Sequence, residues 1–176
     1  MHDAWDDVAG GGLQPVPPAP RGYVWRLPTV SRRVNAPWAL CLHVTALAGT
    51  VLEHRSSTER VVEFSTKVRG RAIVTTRLMR LAPPRITYHW LSGPLPYVRE
   101  TVDAVSLSPD RTRLRYEGAF SPGPRLRDQV VVPWVRWRFR VQKRRDLAEA
   151  KRLAEEQYAG SHVFKPDPQP ETREHG

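Results

Sequence analysis

Arg77 is the side chain most easily given chemical work. It shares a strand face with Ile73, Thr75 and Met79, and a guanidinium among such neighbours has five N–H donors to offer. Turned inward, it could stabilise an enolate or orient a carbonyl. Turned outward, it would be one more solvated cation, and alternation alone leaves both readings open. His43 carries an imidazole, a side chain suited to shuttling a proton, or could serve as a satisfied structural histidine. Tyr88, Trp90, Tyr97, Tyr116, Trp134 and Trp137 could line an aromatic pocket or form plain core. Cys41, within Ala39-Leu40-Cys41-Leu42, reads as a buried structural thiol.

Other chemistries find little support. Neither common glycine-rich phosphate loop is present, nor is Gly-x-Ser-x-Gly. The six histidines show no His-x-x-x-His or His-Glu-x-x-His spacing, so no metal site is expected. One cysteine excludes an intramolecular disulfide framework, and no cofactor is expected.

The 176 residues suit one domain with a real core or one enclosed cavity. No apolar run approaches the ~20 residues of a membrane span. The acidic N-terminus lacks the basic-then-apolar pattern of a signal peptide, so a soluble, cytoplasmic protein is expected. The formal charge of +10 would attract polyanions. However, all but four of the 28 basic residues are arginine, scattered through alternating segments, and the one dense cluster is Arg136 to Arg145. Nucleic acid is therefore not the expected partner.

Residues 1–14 read as a flexible arm, 15–160 as one domain and 161–176 as a flexible tail. Tyr23, Val24, Leu27 and Val30 recur at helical spacing, predicting a short helix or two before an extended exit through Leu42-His43-Val44. Five antiparallel strands follow by alternation: Thr58–Val68, Arg71–Leu81, Arg85–Leu91, Tyr97–Leu107 and Thr112–Phe120. Pro133 opens a long helix running to about Tyr158, with Gly160 as its stop. The order predicts an α+β fold in which a curved antiparallel sheet wraps the C-terminal helix and leaves a cavity between them. Within that helix, Trp134-Val135-Arg136-Trp137-Arg138-Phe139-Arg140 also reads as a basic, aromatic face for membrane-surface contact.

Several strings in this order resemble the helix-grip superfamily of START lipid-transfer domains, plant pathogenesis-related proteins and polyketide cyclases. Pro18-Ala19-Pro20-Arg21-Gly22-Tyr23-Val24-Trp25-Arg26-Leu27 and Ala36-Pro37-Trp38-Ala39-Leu40-Cys41-Leu42-His43-Val44 resemble its two N-terminal segments. Pro84-Arg85-Ile86 followed by Leu91-Ser92-Gly93-Pro94-Leu95-Pro96-Tyr97-Val98 looks most like bacterial aromatase/cyclases. The resemblance implies a cavity for a hydrophobic or polyketide ligand and a helix-grip fold over roughly residues 15–158. It also implies an inward arginine in a Ser-x-Arg string, matched here by Thr75-Thr76-Arg77, and it places His43 where the family carries a tyrosine.

The departures matter as well. The tryptophans that flank the family arginine fall at Arg71 and Ile73, and the Trp of Trp-Pro falls at Ala36. An aromatic-poor wall suits a less aromatic polyketide, or another cyclisation, better than a flat polycyclic product. The expected catalytic residues are Arg77, His43 and Tyr88. The expected ligand contacts are Trp90, Met79, Thr75, Leu95, Tyr97, Tyr116, Trp134 and Trp137. The implied partner is a hydrophobic, polyketide-like small molecule, with an acyl carrier protein or a second copy of the chain as further candidates. A non-catalytic carrier of a lipid or quinone-like ligand is the alternative reading.

Overall fold

The computed structural model describes residues 23–68 and 70–163. The expected arm (1–14), residues 15–22 of the expected domain and residues 164–176 of the tail lie outside the described residues. Among the described residues, eight antiparallel strands form one sheet: β1 (Trp25–Arg26), β2 (Val30–Val34), β3 (Thr50–His54), β4 (Glu59–Val68), β5 (Arg71–Ala82), β6 (Arg85–Ser92), β7 (Tyr97–Ser108) and β8 (Arg111–Ser121). They are joined in the order β1-β8-β7-β6-β5-β4-β3, with β2 also pairing β8. Helix α1 (Trp38–Ala46) follows β2, and a 3-10 turn over Leu126–Val131 leads into the long helix α2 (Val132–Val163).

Alternation explains the five central strands. Val62, Phe64 and Thr66 of β4, Thr75 and Arg77 of β5, and Tyr88 and Trp90 of β6 share the inner face. Val98, Glu100, Val102 and Ala104 of β7, with Leu114, Tyr116 and Phe120 of β8, continue it. Register then decides which of these side chains meet. Arg77 pairs with Trp90 and Val62, Tyr88 with Glu100, and Glu100 with Gly118. Gly118 is needed there, since a Cβ would lie 2.5 Å from the Arg99 carbonyl oxygen.

The core closes when α2 lays Val132, Val135, Leu147, Ala150 and Ala154 against the inner face and α1. Polar ties fix the N-terminal segment to both layers. Thr112 Oγ1 donates to the Ala36 carbonyl at 2.7 Å, and the Asn35 amide donates to Glu155 Oε1 at 2.7 Å.

Four expectations are corrected. The region from Tyr23 to Val34 holds two strands on the edge of β8, where helices were expected. Pro28 breaks this stretch, and pairing with β8 satisfies the backbone on either side of it. Leu42-His43-Val44 lies inside α1 and is not extended: Cys41, Leu42 and Val44 are buried while His43 faces out. Strand β3 was not expected at all, because its five residues are all exposed and carry no inward pattern. Helix α2 also continues past Gly160, which has no positive φ and stands in open space.

Candidate functional site

A cavity of about 880 Å³ lies between the inner face of the sheet and α2. That volume falls within the range of small-molecule sites. Strands β4 to β8 supply Phe64, Thr75, Arg77, Tyr88, Trp90, Glu100, Val102 and Tyr116 to its wall. Helix α2 supplies Trp134, Val135, Phe139 and Lys143, and the loop between β6 and β7 supplies Pro94 and Leu95.

The polar heart of this wall is Glu100, whose side chain is entirely buried. Its Oε2 accepts from Arg77 Nη1 at 2.8 Å and from Trp90 Nε1 at 3.0 Å. Its Oε1 accepts from the Tyr116 hydroxyl at 2.9 Å and faces Lys143 Nζ at 3.0 Å. Four donors thus meet two oxygens, which fills the carboxylate's accepting capacity. Burial alone would raise the pKa of Glu100. The adjacent Lys143 and Arg77 charges, with the Trp90 N–H, overcome that and hold it at about 2.

Arg77 is positioned from every side. Its Nε donates to Thr75 Oγ1 at 3.1 Å, and its plane lies over Phe64 and Trp90, 4.1 and 4.9 Å from their ring centres. Such stacking adds cation–π attraction to the ion pair. Two of its donor directions are therefore committed. The Nη2 group has no hydrogen-bond partner among the described residues, and Arg77 lines the cavity. Tyr88 donates a long 3.4 Å bond to the Thr45 carbonyl. Burial and the Glu100 charge push its pKa far up, against the opposing effect of Arg77. Tyr116 is pushed up in the same way, further aided by its bond to Glu100. Both phenols stay protonated across the physiological range, as donors and not bases.

Of the residues expected from sequence, Arg77, Tyr88, Trp90, Thr75, Leu95, Tyr116 and Trp134 line this cavity together. Four do not. His43 sits on the exposed face of α1, away from the cavity wall, because the helix turns its neighbours Leu42 and Val44 inward. Met79 is buried in the core opposite Tyr88, outside the wall. Tyr97 alternates out of phase with Val98 and Glu100, so it leaves the inner face. Trp137 is 59% exposed and borders a shallow groove with Pro28, Pro133, Arg136 and Arg140.

Glu100, Lys143, Phe64 and Phe139 line the cavity but were not among the residues expected at the site. Two signals were available. Val98, Glu100 and Val102 alternate onto one face, which puts a carboxylate among apolar residues. Phe139, Lys143 and Leu147 recur every four residues on the inner side of α2.

No protein-family model and no curated protein sequence matches the chain. Solved structures do. The Zhui aromatase/cyclase from Streptomyces sp. R1128 superposes with a TM-score of 0.61 at 21% identity, covering 74% of this chain and 95% of that one. The di-domain aromatase/cyclase BexL of the BE-7585A biosynthetic pathway gives a TM-score of 0.61 at 17% identity, over 75% of this chain and 50% of that one. A START superfamily protein from Mycobacterium smegmatis gives 0.53 at 14% identity, over 78% and 99%. The chain thus has the helix-grip fold of these aromatase/cyclase and START-superfamily structures.

Proposed function

We propose that the protein is a cofactor-independent, cyclase-like enzyme that folds a hydrophobic, polyketide-like intermediate in its cavity and promotes ring closure in secondary metabolism. The observation that carries this reading is Arg77: a guanidinium fixed in a largely apolar wall, with its Nη2 group free to meet a ligand oxygen. Such preorganised donors stabilise negative charge as it develops on a carbonyl oxygen. The cavity would contribute by holding a flexible chain in a reactive conformer.

In an aldol-type closure, an enol carbon attacks a carbonyl carbon and one carbon–carbon bond forms. The proton lost from the α-carbon ends on the new alkoxide oxygen, so nothing else is consumed. Arg77 Nη2 would hold that oxygen while charge builds on it. Tyr88, kept protonated by its burial, would act as a hydrogen-bond donor. Trp90 and Phe64 would limit where the chain can bend. Thr75 would act through Arg77, as a positioning residue.

One observation favours the second reading, a carrier of a lipid or quinone-like ligand. His43 lies outside the cavity, Glu100 is saturated, and the other lining carboxylates, Asp146 and Glu149, are exposed and held by Lys143 and Arg152, so no described lining residue offers a buried, unengaged general base. Native mass spectrometry of the gently purified protein separates the two. An empty protein that converts a poly-β-ketone thioester supports the enzyme; a co-purifying lipid or isoprenoid with no turnover supports the carrier.

A further inference from the structure

The first turns of α2 carry a face that runs from the rim of the cavity out into solvent. Trp134, Trp137, Arg138, Val141, Arg144 and Arg145 recur at three- and four-residue spacing and so share one side of the helix. Trp134 and Trp137 are 48% and 59% exposed, and Val130 and Val131 beside them are 80% and 43% exposed. Large indoles left in water as a group mark a surface made to meet something. From Gln129 to Arg145 the chain has five arginines but no acidic residue, and its one lysine, Lys143, turns inward to Glu100; the acids of α2 begin at Asp146. This charge is therefore concentrated on one stretch of helix.

Position adds a second argument. Val131, Trp134, Arg138 and Arg145 also line the cavity, so the basic aromatic face borders its mouth. Leu47, just after α1 and 56% exposed, lines the same cavity from the other helix. An apolar ligand entering there would pass through this rim.

We propose that this face docks on an anionic lipid surface and that the cavity exchanges its ligand with that surface. The tryptophans would sit at headgroup level and the arginines would meet lipid phosphates. Paired indoles with interleaved arginines match the boundary of a bilayer, where apolar and anionic groups lie within a few ångströms of each other. The inference is independent of whether the ligand is cyclised or merely carried.

The test is co-sedimentation with vesicles of equal parts phosphatidylcholine and phosphatidylglycerol, against vesicles of phosphatidylcholine alone. The expected result is binding to the anionic vesicles at low salt, release at high salt and little binding to the neutral ones. The double variant Trp137→Ala/Arg144→Gln, with neither residue in the cavity wall, should lose about tenfold or more in affinity at an unchanged melting temperature and circular dichroism spectrum. Failure of the wild type to bind anionic vesicles, or equal binding by the variant, would overturn the proposal. So would capture of an acidic carrier protein, or self-association through the same face, without vesicle binding.

Discussion

Lys143, on the long helix, and Glu100, on a central strand, face each other at 3.0 Å across the space between helix and sheet. This contact joins the two layers through the same carboxylate that holds Arg77. One buried anion therefore serves both the closure of the fold and the aim of the guanidinium. Lys143 is itself steadied by Asp146 at 3.3 Å and by the face of Tyr116, whose ring centre lies 5.0 Å away.

Replacing Glu100 by Gln should be costly although the shape is kept. The amide group would turn a donor toward two of the four donors now satisfied, and two cations would lose their counter-charge. The expected loss is about 3 kcal/mol in urea denaturation. Tyr116→Phe should cost less, about 1.5–3 kcal/mol, since it removes one hydrogen bond to a charged acceptor. Equal stabilities for Glu100→Gln and wild type would contradict the arrangement.

Acid stability follows from the same carboxylate. Its folded-state pKa is lowered from 4.5 to about 2, so the folded protein binds fewer protons than the unfolded chain between those values. The resulting stability is complete above about pH 4.5 and is lost as pH falls through about 2, a total of about 3 kcal/mol. Urea midpoints measured down that range should fall in the wild type. In Glu100→Gln they should fall less steeply, by the share that this carboxylate contributes.

Phenol titration tests the interior directly. Tyr88 and Tyr116 are pushed far above 10 by burial and by the Glu100 charge, so two of the five tyrosines should stay un-ionised until the protein unfolds. Ultraviolet absorbance against pH should show this, and Tyr88→Phe should leave the early, exposed phase unchanged.

Gly93 shapes the cavity from the loop between β6 and β7. Its φ of +151° is one that other residues rarely adopt, and an added Cβ would lie 2.8 Å from Trp90 Cε3. Gly93→Ala should displace the Trp90 ring, which lies over Arg77. Affinity for an apolar fluorescent probe such as anilinonaphthalene sulfonate should fall severalfold at a stability cost of about 1–3 kcal/mol. Unchanged probe affinity would dissociate Trp90 from ligand binding.

The sequence was most readable where a strand has one wet and one dry face. Alternation in Arg71–Leu81 and Arg85–Leu91 grouped Arg77 with Thr75 and Tyr88 with Trp90 on single faces, which line the cavity; that Arg77 turns inward was implied by the family resemblance and not by alternation. It was least readable at Tyr23–Val34, where Pro28 and apolar residues at mixed spacing mimic helix starts. There the strands depend on an edge, β8, about eighty to ninety-five residues away in the chain. Lys143 was hidden within an arginine-rich run whose other members lie on the surface or at the cavity rim. Glu100 was hidden because a carboxylate at an inward position has meaning only once its cations are known. Both partners come from other elements, so pattern along one strand could not reveal them.

The central claim is that the cavity, through Arg77, directs ring closure of a polyketide-like chain. Its most direct test is the product distribution from a poly-β-ketone thioester, by liquid chromatography and mass spectrometry, with wild type, Arg77→Leu shown to be folded, and no protein. The account predicts a distribution with the wild type that differs from the spontaneous one, and a return toward the spontaneous pattern with Arg77→Leu. A wild type that leaves the spontaneous pattern untouched, or a folded Arg77→Leu that directs closure undiminished, would contradict it.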